Sequence, residues 1–160
     1  MAASSSAAVK NYDIFLSFRG EDTRNSFTDH LYKKLMDAEI NTFRDNEGIN
    51  IGEELNTKIS RAIKESKGSI VVLSPNYATS TWCLDELWLI LQQRRDCGHF
   101  VIPIFYHVDP FDVRKQNKAF NIQVKVSSRW TQENVNKWKA ALTEVADLKG
   151  SDILGSMFYD

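Results

Sequence analysis

The chain is 160 residues long, the size of a single domain with one substantial core, and its 20 basic and 21 acidic residues leave a formal net charge of -1. Because neither charge is in excess and no run of like charges occurs, we expect binding to neither nucleic acid nor an anionic membrane. The two cysteines, Cys83 and Cys97, have no metal-ligand spacing, so we predict no metal site and no disulfide. No segment approaches the roughly 18 apolar residues of a membrane span, and no signal peptide is recognisable, so we expect a soluble, non-secreted chain.

Strand and helix patterns alternate along the chain. An Ala- and Ser-rich leader at 1–11 is expected to be flexible, and Tyr12 begins a strand that is apolar on both faces, as is typical of a strand covered by helices above and below. Pro103 removes one ladder hydrogen bond from the fourth strand, where we expect a bulge or a strand start. In chain order we predict a strand at 12–18, a helix at about 25–38, a strand at 41–43, a helix around 55–63, a strand at 69–74, a helix around 84–91, a strand at 100–108 and a helix around 135–145.

This alternation predicts an α/β fold in which helices cover both faces of a parallel sheet, since parallel strands need crossover connections. We expect the strand order 2-1-3-4, with room for a fifth strand at the edge. In such sheets ligands bind at the carboxyl ends of the strands where the winding reverses, which here is between the first and third strands. A binding crevice is therefore expected between residues 19–24 and residues 76–86.

The octapeptide STWCLDEL at 80–87 opens the third predicted helix with an aromatic ring, a thiol and two carboxylates. Trp82 and Glu86 are four residues apart, so they share one helix face and could together hold and attack a cationic ring. Asp85 points about 100° away from Glu86. The alternative is that the acids only complement the helix dipole and that Trp82 belongs to the core. Cys83 has no evident basic partner and is expected to pack rather than to act as a nucleophile.

Four motifs occur in order along the chain: YDIFLSFRGEDTR, TFRDNEGINIGEEL, STWCLDEL and PIFYHVDPFDVRKQ. In sequence and spacing they resemble a plant-type Toll/interleukin receptor (TIR) domain over residues 12–150, as in TIR-class plant disease-resistance proteins and TIR-only relatives. The resemblance implies a flavodoxin-like three-layer sandwich with a parallel sheet of four to five strands in the order 2-1-3-4-5. It also implies a role in plant innate immune signalling, in which self-associated domains hydrolyse NAD+ to nicotinamide and ADP-ribose or cyclic ADP-ribose. No cofactor is expected, because NAD+ is the substrate.

Glu86 matches the catalytic glutamate of this family. Nicotinamide leaves as a neutral group and needs no general acid, so one carboxylate could hold the ribose and stabilise the oxocarbenium charge, whereas ordinary glycosidases use two. Trp82 could stack on the nicotinamide ring or anchor the helix in the core. The residues of the loop after the first strand that are expected to bind the ribose and phosphates are Arg19, Gly20, Asp22, Thr23 and Arg24. The alternative is that Asp22 and Thr23 cap the next helix while Arg24 pairs with acids of the following loop.

The resemblance also assigns a mobile loop and a contact surface between domains. The loop at 45–52 corresponds to the BB loop of the family, in which Gly52 is expected to contact the substrate. Ile51 stands where a basic residue is common, which argues against a phosphate contact from this loop. His30 and the solvent-facing Asp29 beside it match a surface for self-association, and an exposed histidine with no further role is the alternative for His30.

The last residues, 151–160, form a short tail where relatives carry a further helix, so we expect weak activity or dependence on a full-length partner. A non-catalytic TIR adaptor, or a truncated regulatory TIR protein, is the alternative function, because it would not need Glu86. A response-regulator phosphoacceptor would need an aspartate in place of Ser74, and a flavin carrier would need a Ser/Thr-rich loop after the first strand.

Expected partners are NAD+ and other TIR domains, and the expected location is the cytoplasm, with the nucleus as a second location.

Overall fold

The computed structural model of the protein describes residues 9–44, 57–126 and 128–148, together with the backbone of residues 151 and 152. Strands and helices alternate through these residues, as the apolar patterns predict. The BB loop, including Gly52, lies outside the described residues, and so do most of the leader and residues 153–160.

A five-stranded sheet forms the centre of the fold. Every strand pairs in parallel with its neighbours, and the order across the sheet is 2-1-3-4-5, which confirms the predicted topology. The winding reverses between the first and third strands, where the crevice is predicted. The strands are β1 (Tyr12–Phe18), β2 (Thr42–Arg44), β3 (Ser66–Leu73), β4 (Phe100–Phe105) and β5 (Ser151–Asp152).

The four predicted helices are present, and the described residues contain two short helices that were not predicted. The helices are α1 (Gly20–Thr23), α2 (Phe27–Asp37), α3 (Thr57–Lys64), α4 (Thr81–Cys97), α5 (Pro110–Lys115) and α6 (Gln132–Ala146), with single 3-10 turns at Tyr77–Thr79 and Lys118–Phe120. The predicted strand at 100–108 ends at Phe105. Asp109 then caps α5 by accepting a hydrogen bond from the backbone N–H of Phe111. Such a short helix has too few turns to show a periodic apolar stripe.

Two features at the edge of the sheet differ from the predictions. The strand β5 lies in the segment predicted as a tail, where Ser151 and Asp152 pair with Ile104 and Phe105. Pro103 marks neither a bulge nor a strand start, since it lies within β4 in register with Val71 of β3. Among the described residues, β5 pairs with Ile104 and Phe105 and not with Pro103, so no pairing described there needs the N–H that proline lacks.

The core lies on both faces of the sheet, as the apolar strands predict. On one face, α3, α4 and α6 pack against Phe15, Val71 and Leu73, and on the other α2 packs against Ile14, Leu16 and Phe18 and their neighbours on β3 and β4. Alternation along β1 places Ser17 on the same face as Phe15, toward α4. A serine is thereby buried beneath the first turns of the helix that carries STWCLDEL. The apolar stripes of two helices are buried, namely Leu84, Leu87 and Leu91 of α4 and Val135, Trp138, Leu142 and Val145 of α6.

Candidate active site at Glu86

The site lies at the carboxyl ends of β1 and β3, where α4 begins. A 3-10 turn at Tyr77–Thr79 follows β3 and leads into the helix. Ser80 then caps α4, because its Oγ accepts a hydrogen bond of 3.1 Å from the backbone N–H of Cys83. The cap places Trp82 and Glu86 in the first two turns of the helix, above the end of β1.

Glu86 is a buried acid whose two carboxylate oxygens both accept hydrogen bonds. Its Oε1 lies 2.8 Å from the hydroxyl of Ser17, and its Oε2 lies 2.9 Å from the indole nitrogen of Trp82. The residue is only 4% exposed, so it is not a surface acid that merely complements the helix dipole. Burying a carboxylate is costly unless it is hydrogen-bonded, and these two donors reduce that cost and hold the group in one orientation.

Trp82 and Glu86 share a helix face, as their spacing predicts, but the indole binds the acid directly. The Trp82 ring also packs against the core on the α4 side of the sheet. The ring therefore anchors the helix in the core, as in the second interpretation, and it also orients the carboxylate. Stacking of Trp82 on a nicotinamide ring stays a prediction.

Asp85 faces the other way, as the helical geometry predicts. Its Oδ2 accepts a hydrogen bond of 2.6 Å from Arg129, and its Oδ1 accepts one of 3.1 Å from the indole of Trp138 on α6. The two adjacent carboxylates thus have separate functions. Asp85 ties α4 to α6 and to the segment before it, while Glu86 lies at the ends of the strands.

Sequence analysis gave no role to two residues of the site, Ser17 and Tyr77, which are both fully buried, although Tyr77 lies in the predicted range 76–86. The Tyr77 hydroxyl lies 2.8 Å from Ser17 Oγ and 3.1 Å from the carbonyl oxygen of Cys83. Burial raises the pKa of Tyr77 well above its ordinary value, and the nearby Cys83 and Glu86 raise it further. A lone serine among the apolar residues of IFLSF was the available signal for Ser17.

Asp22 joins the loop after β1 to the loop after β3. Its Oδ2 accepts hydrogen bonds from the hydroxyl of Ser74, at 2.5 Å, and from the backbone N–H of Asn76, at 2.8 Å. Its Oδ1 accepts a third bond of 2.8 Å from the side-chain amide of Asn76. Asp22 therefore holds the two sides of the crevice together, and it is not the helix cap of the alternative interpretation.

Thr23 does not face the crevice. It is 1% exposed, and its hydroxyl lies 2.6 Å from that of Thr28 on α2. The N-cap residues of α1 and α2 are Arg19 and Ser26, and neither makes a side-chain capping hydrogen bond. The capping interpretation of Thr23 is therefore also wrong. This hydrogen bond joins α1 to α2. Both hydroxyl groups are buried, and each satisfies the hydrogen-bonding need of the other.

Two guanidinium groups and a glycine lie where β1 ends. Arg19 pairs with Glu21 at 3.1 Å, and its Nε is buried with no hydrogen-bond partner among the described residues. The Arg24 guanidinium lies 5.1 Å from the centre of the Phe18 ring. It also covers Gly20, where a Cβ atom would lie 2.6 Å from Arg24 Nη2. Gly20 thus allows the close approach of Arg24. The alternative interpretation pairs Arg24 with acids of the following loop, and the acids at 45–56 lie outside the described residues.

The proposed contact surface on α2 is only partly as predicted. Asp29 does not simply face solvent, because it accepts hydrogen bonds of 3.1 Å from Lys33 and from Arg44 at the end of β2. These bonds, from Lys33 first and then Arg44, lower the pKa of Asp29. Asp29 thus holds β2 against α2, which leaves the exposed His30 as the accessible member of the pair.

Cys83 packs in the core, as expected. Its Sγ lies 3.5 Å from the carbonyl oxygen of Phe18, and burial raises the pKa of the thiol, with Glu86 raising it further. A protonated, buried thiol is a poor nucleophile. In the part of the chain that the structure describes, no three acidic, histidine or cysteine side chains are arranged to hold a metal ion. No helix among those residues is long and apolar enough to cross a membrane.

Comparisons with known proteins agree with the four motifs. The family model of the TIR domain matches residues 11–156. Disease resistance protein RPV1 of Vitis rotundifolia is 48% identical over 147 residues, and TMV resistance protein N of Nicotiana glutinosa is 46% identical over 154 residues. These matches cover 92% and 94% of this chain but only 10% and 14% of the relatives, so the chain spans a small part of their length.

A solved structure has the same fold. The TIR domains in the structure of the activated Roq1 resistosome, which directly recognises the pathogen effector XopQ, match with a TM-score of 0.83 and 41% identity. The match covers 94% of this chain and 92% of that chain. Because the family model, the relatives and the fold agree over nearly the whole length described by the motifs, the chain belongs to the TIR domain family.

Proposed function

We propose that the protein cleaves NAD+ between nicotinamide and ribose, with Glu86 as the catalytic residue. The observation that carries this proposal is the buried carboxylate of Glu86, held by Ser17 and Trp82 at the switch point of a parallel sheet. This is the position at which ligands bind in open α/β sheets. A buried acid at such a position is a strong candidate for a functional group.

The reaction needs only one carboxylate. The bond between C1′ of the ribose and the nicotinamide nitrogen breaks, its electron pair neutralises the pyridinium, and the oxygen of water bonds to C1′ with release of a proton. Glu86 would stabilise the positive charge that develops on the ribose. Two other acids of the motifs are bonded elsewhere, Asp85 to Arg129 and Asp22 to the loop after β3, so neither is available as a second catalytic carboxylate.

The loop after β1 would bind the charged part of the substrate. Arg19 has a buried Nε with no partner among the described residues, and the guanidinium of Arg24 covers the next residue, Gly20. Two guanidinium groups can bind the diphosphate of NAD+ through charge-assisted hydrogen bonds. Asp22 would act indirectly by fixing this loop to the other side of the crevice, and no separate cofactor is needed.

The relatives suggest the setting in which this activity operates. Several are disease resistance proteins, and the TIR domains of the activated Roq1 resistosome share the fold. We therefore place the activity in plant innate immune signalling in the cytoplasm, with clustering of TIR domains as the step that activates it. His30 is the accessible residue of the predicted contact surface on α2.

The proposal is tested by measuring nicotinamide release from NAD+, with the protein at high concentration or attached to a clustering surface. Wild-type protein is compared with Glu86→Gln, which keeps the side-chain volume and removes the charge. Glu144→Gln is the matched control, because Glu144 pairs with Arg95 on the outside of the fold. We expect activity in the wild type and in Glu144→Gln and its loss in Glu86→Gln. An inert wild type that still associates with other TIR domains would instead support the non-catalytic adaptor.

A further inference from the structure

A chain of buried hydroxyl groups leads from the core to Glu86. Ser17 Oγ lies 2.8 Å from Glu86 Oε1 and 2.8 Å from the hydroxyl of Tyr77. Ser17 has one hydroxyl proton, and the carboxylate can only accept, so that proton is donated to Glu86. The contact with Tyr77 is then a bond that Tyr77 donates and Ser17 accepts. The carbonyl oxygen of Cys83, at 3.1 Å, is a second acceptor for Tyr77, so the single hydroxyl proton of Tyr77 is shared between the two contacts.

This arrangement is not required by packing. Ser17 and Tyr77 are both 0% exposed among apolar residues of the core on the α4 side of the sheet, where an alanine and a phenylalanine would fill the same space without polar atoms. Buried hydroxyl groups are tolerated when they are hydrogen-bonded, and these two satisfy each other and the carboxylate. The pKa of Tyr77 is raised by burial, so its hydroxyl stays protonated and remains a donor at neutral pH.

We propose that Ser17 is a positioning residue for Glu86 and that Tyr77 directs the Ser17 proton toward the carboxylate. This inference rests on the proposed function of Glu86. Ser17 binds one oxygen and Trp82 binds the other, so the carboxylate is held from two sides. A carboxylate that is already oriented does not need to reorganise as positive charge develops on the ribose. Ser17 therefore affects the rate through Glu86 without touching the substrate.

The first test compares Ser17→Ala and Tyr77→Phe with wild-type protein in the nicotinamide-release assay. A hydrogen bond to a charged group is lost in Ser17→Ala, so we expect kcat to fall by about 10- to 100-fold with little change in KM. Tyr77→Phe should cause a smaller fall, because the Ser17 donor remains. The matched control is Ser69→Ala, since Ser69 is also 0% exposed and is bonded to His99, at 2.7 Å, away from Glu86. This control should lower thermal stability and leave kcat unchanged.

A double-mutant cycle separates positioning from a general structural effect. If Ser17 acts through Glu86, adding Ser17→Ala to Glu86→Gln should cause no further loss of the residual rate, which is followed at raised protein concentration. A wild-type kcat in Ser17→Ala, or a full additional loss in the double variant, would overturn the proposal. Thermal unfolding of each variant shows whether the comparison is made on folded protein.

A second readout does not depend on activity. The side-chain carboxyl of Glu86 is followed by carbon NMR as a function of pH in wild type, Ser17→Ala and Ser69→Ala. Loss of a hydrogen bond to the charged form should move the midpoint upward in Ser17→Ala only. Tyr77 after β3 and Cys83 on α4 are titratable groups that interact with Glu86, and Arg19 and Asp22 after β1 act on Cys83.

The two readouts distinguish failure of the inference from failure of the proposed function. An inert wild type together with an upward midpoint in Ser17→Ala would refute NAD+ cleavage and keep Ser17 as the residue that orients Glu86. An unchanged midpoint in Ser17→Ala would overturn the inference, whatever the activity of the wild type.

Discussion

The buried imidazole of His99 predicts that the stability of the protein depends on pH between 7 and 5. Its Nδ1 lies 3.1 Å from the carbonyl oxygen of Ser66, and its Nε2 lies 2.7 Å from the hydroxyl of Ser69. Because a carbonyl only accepts, Nδ1 carries the proton and Nε2 accepts from Ser69. Burial lowers the pKa of His99 from 6.5 to about 4, so the folded protein holds the ring neutral.

The sign of the effect follows from these two pKa values. Below pH 6.5 the unfolded chain gains a proton on His99, whereas the folded protein does so only near pH 4. The stabilisation is complete above the unfolded value and is lost as the pH falls between the two. At about 1.4 kcal/mol per pKa unit the total loss is about 3 kcal/mol, of which about 2 kcal/mol falls between about pH 7 and pH 5.

Urea unfolding at pH 7 and pH 5 measures this loss in wild type and in His99→Gln. We expect the variant to be less stable at both pH values, because the bonds to Ser66 and Ser69 are disturbed. Its free energy of unfolding should nevertheless change less between the two pH values than that of the wild type. His30→Gln, at an exposed position, is the matched control and should keep the wild-type dependence. An equal fall in wild type and His99→Gln would refute the reasoning.

Two further predictions concern contacts that stabilise the fold. Asp85→Asn should lower the free energy of unfolding by about 1.5–3 kcal/mol, because it weakens charge-assisted bonding to Arg129 and the contact with Trp138, while nicotinamide release per folded molecule stays unchanged. A loss of activity as large as that of a catalytic substitution would contradict the separate functions of the two adjacent acids. Gly68→Ala should destabilise the protein by about 1–3 kcal/mol in urea unfolding, because the added Cβ would collide with the Phe100 ring. The cost should disappear in a Phe100→Ala background, and a cost that persists there would show that the ring is not its cause.

The elements that could be predicted from sequence are those whose signal is local. The apolar stripe of α4 and the shared face of Trp82 and Glu86 depend only on helical periodicity within one segment. The divergence of Asp85 from Glu86 follows from the same geometry. The strand order followed from alternation of strands and helices together with the handedness of crossover connections. Short elements such as α5 were missed because six residues carry too little periodic signal.

The contacts of the candidate site were not predictable in the same way. Ser17 reaches Glu86 across 69 positions, and Asp22 reaches Ser74 across 52. At such separations residue type does not reveal the partner. Asp22 was therefore expected to bind substrate or to cap a helix, whereas in the structure it joins two loops. Thr23 was placed in the crevice, although its hydroxyl is buried against Thr28. Asp29 was expected to face solvent, although Arg44 at the end of β2 is bonded to it.

By itself the sequence determined the family, the order of the strands and the acid at the centre of the site, because motifs and periodicity are properties of neighbouring residues. Only the tertiary structure decided which polar groups surround that acid. The sheet brings the ends of β1 and β3 under α4, and the resulting contacts between Ser17, Tyr77 and Glu86 join segments that are far apart along the chain. Burial then decides the chemistry, since the same carboxylate would be an ordinary solvated group on the outer face of the helix.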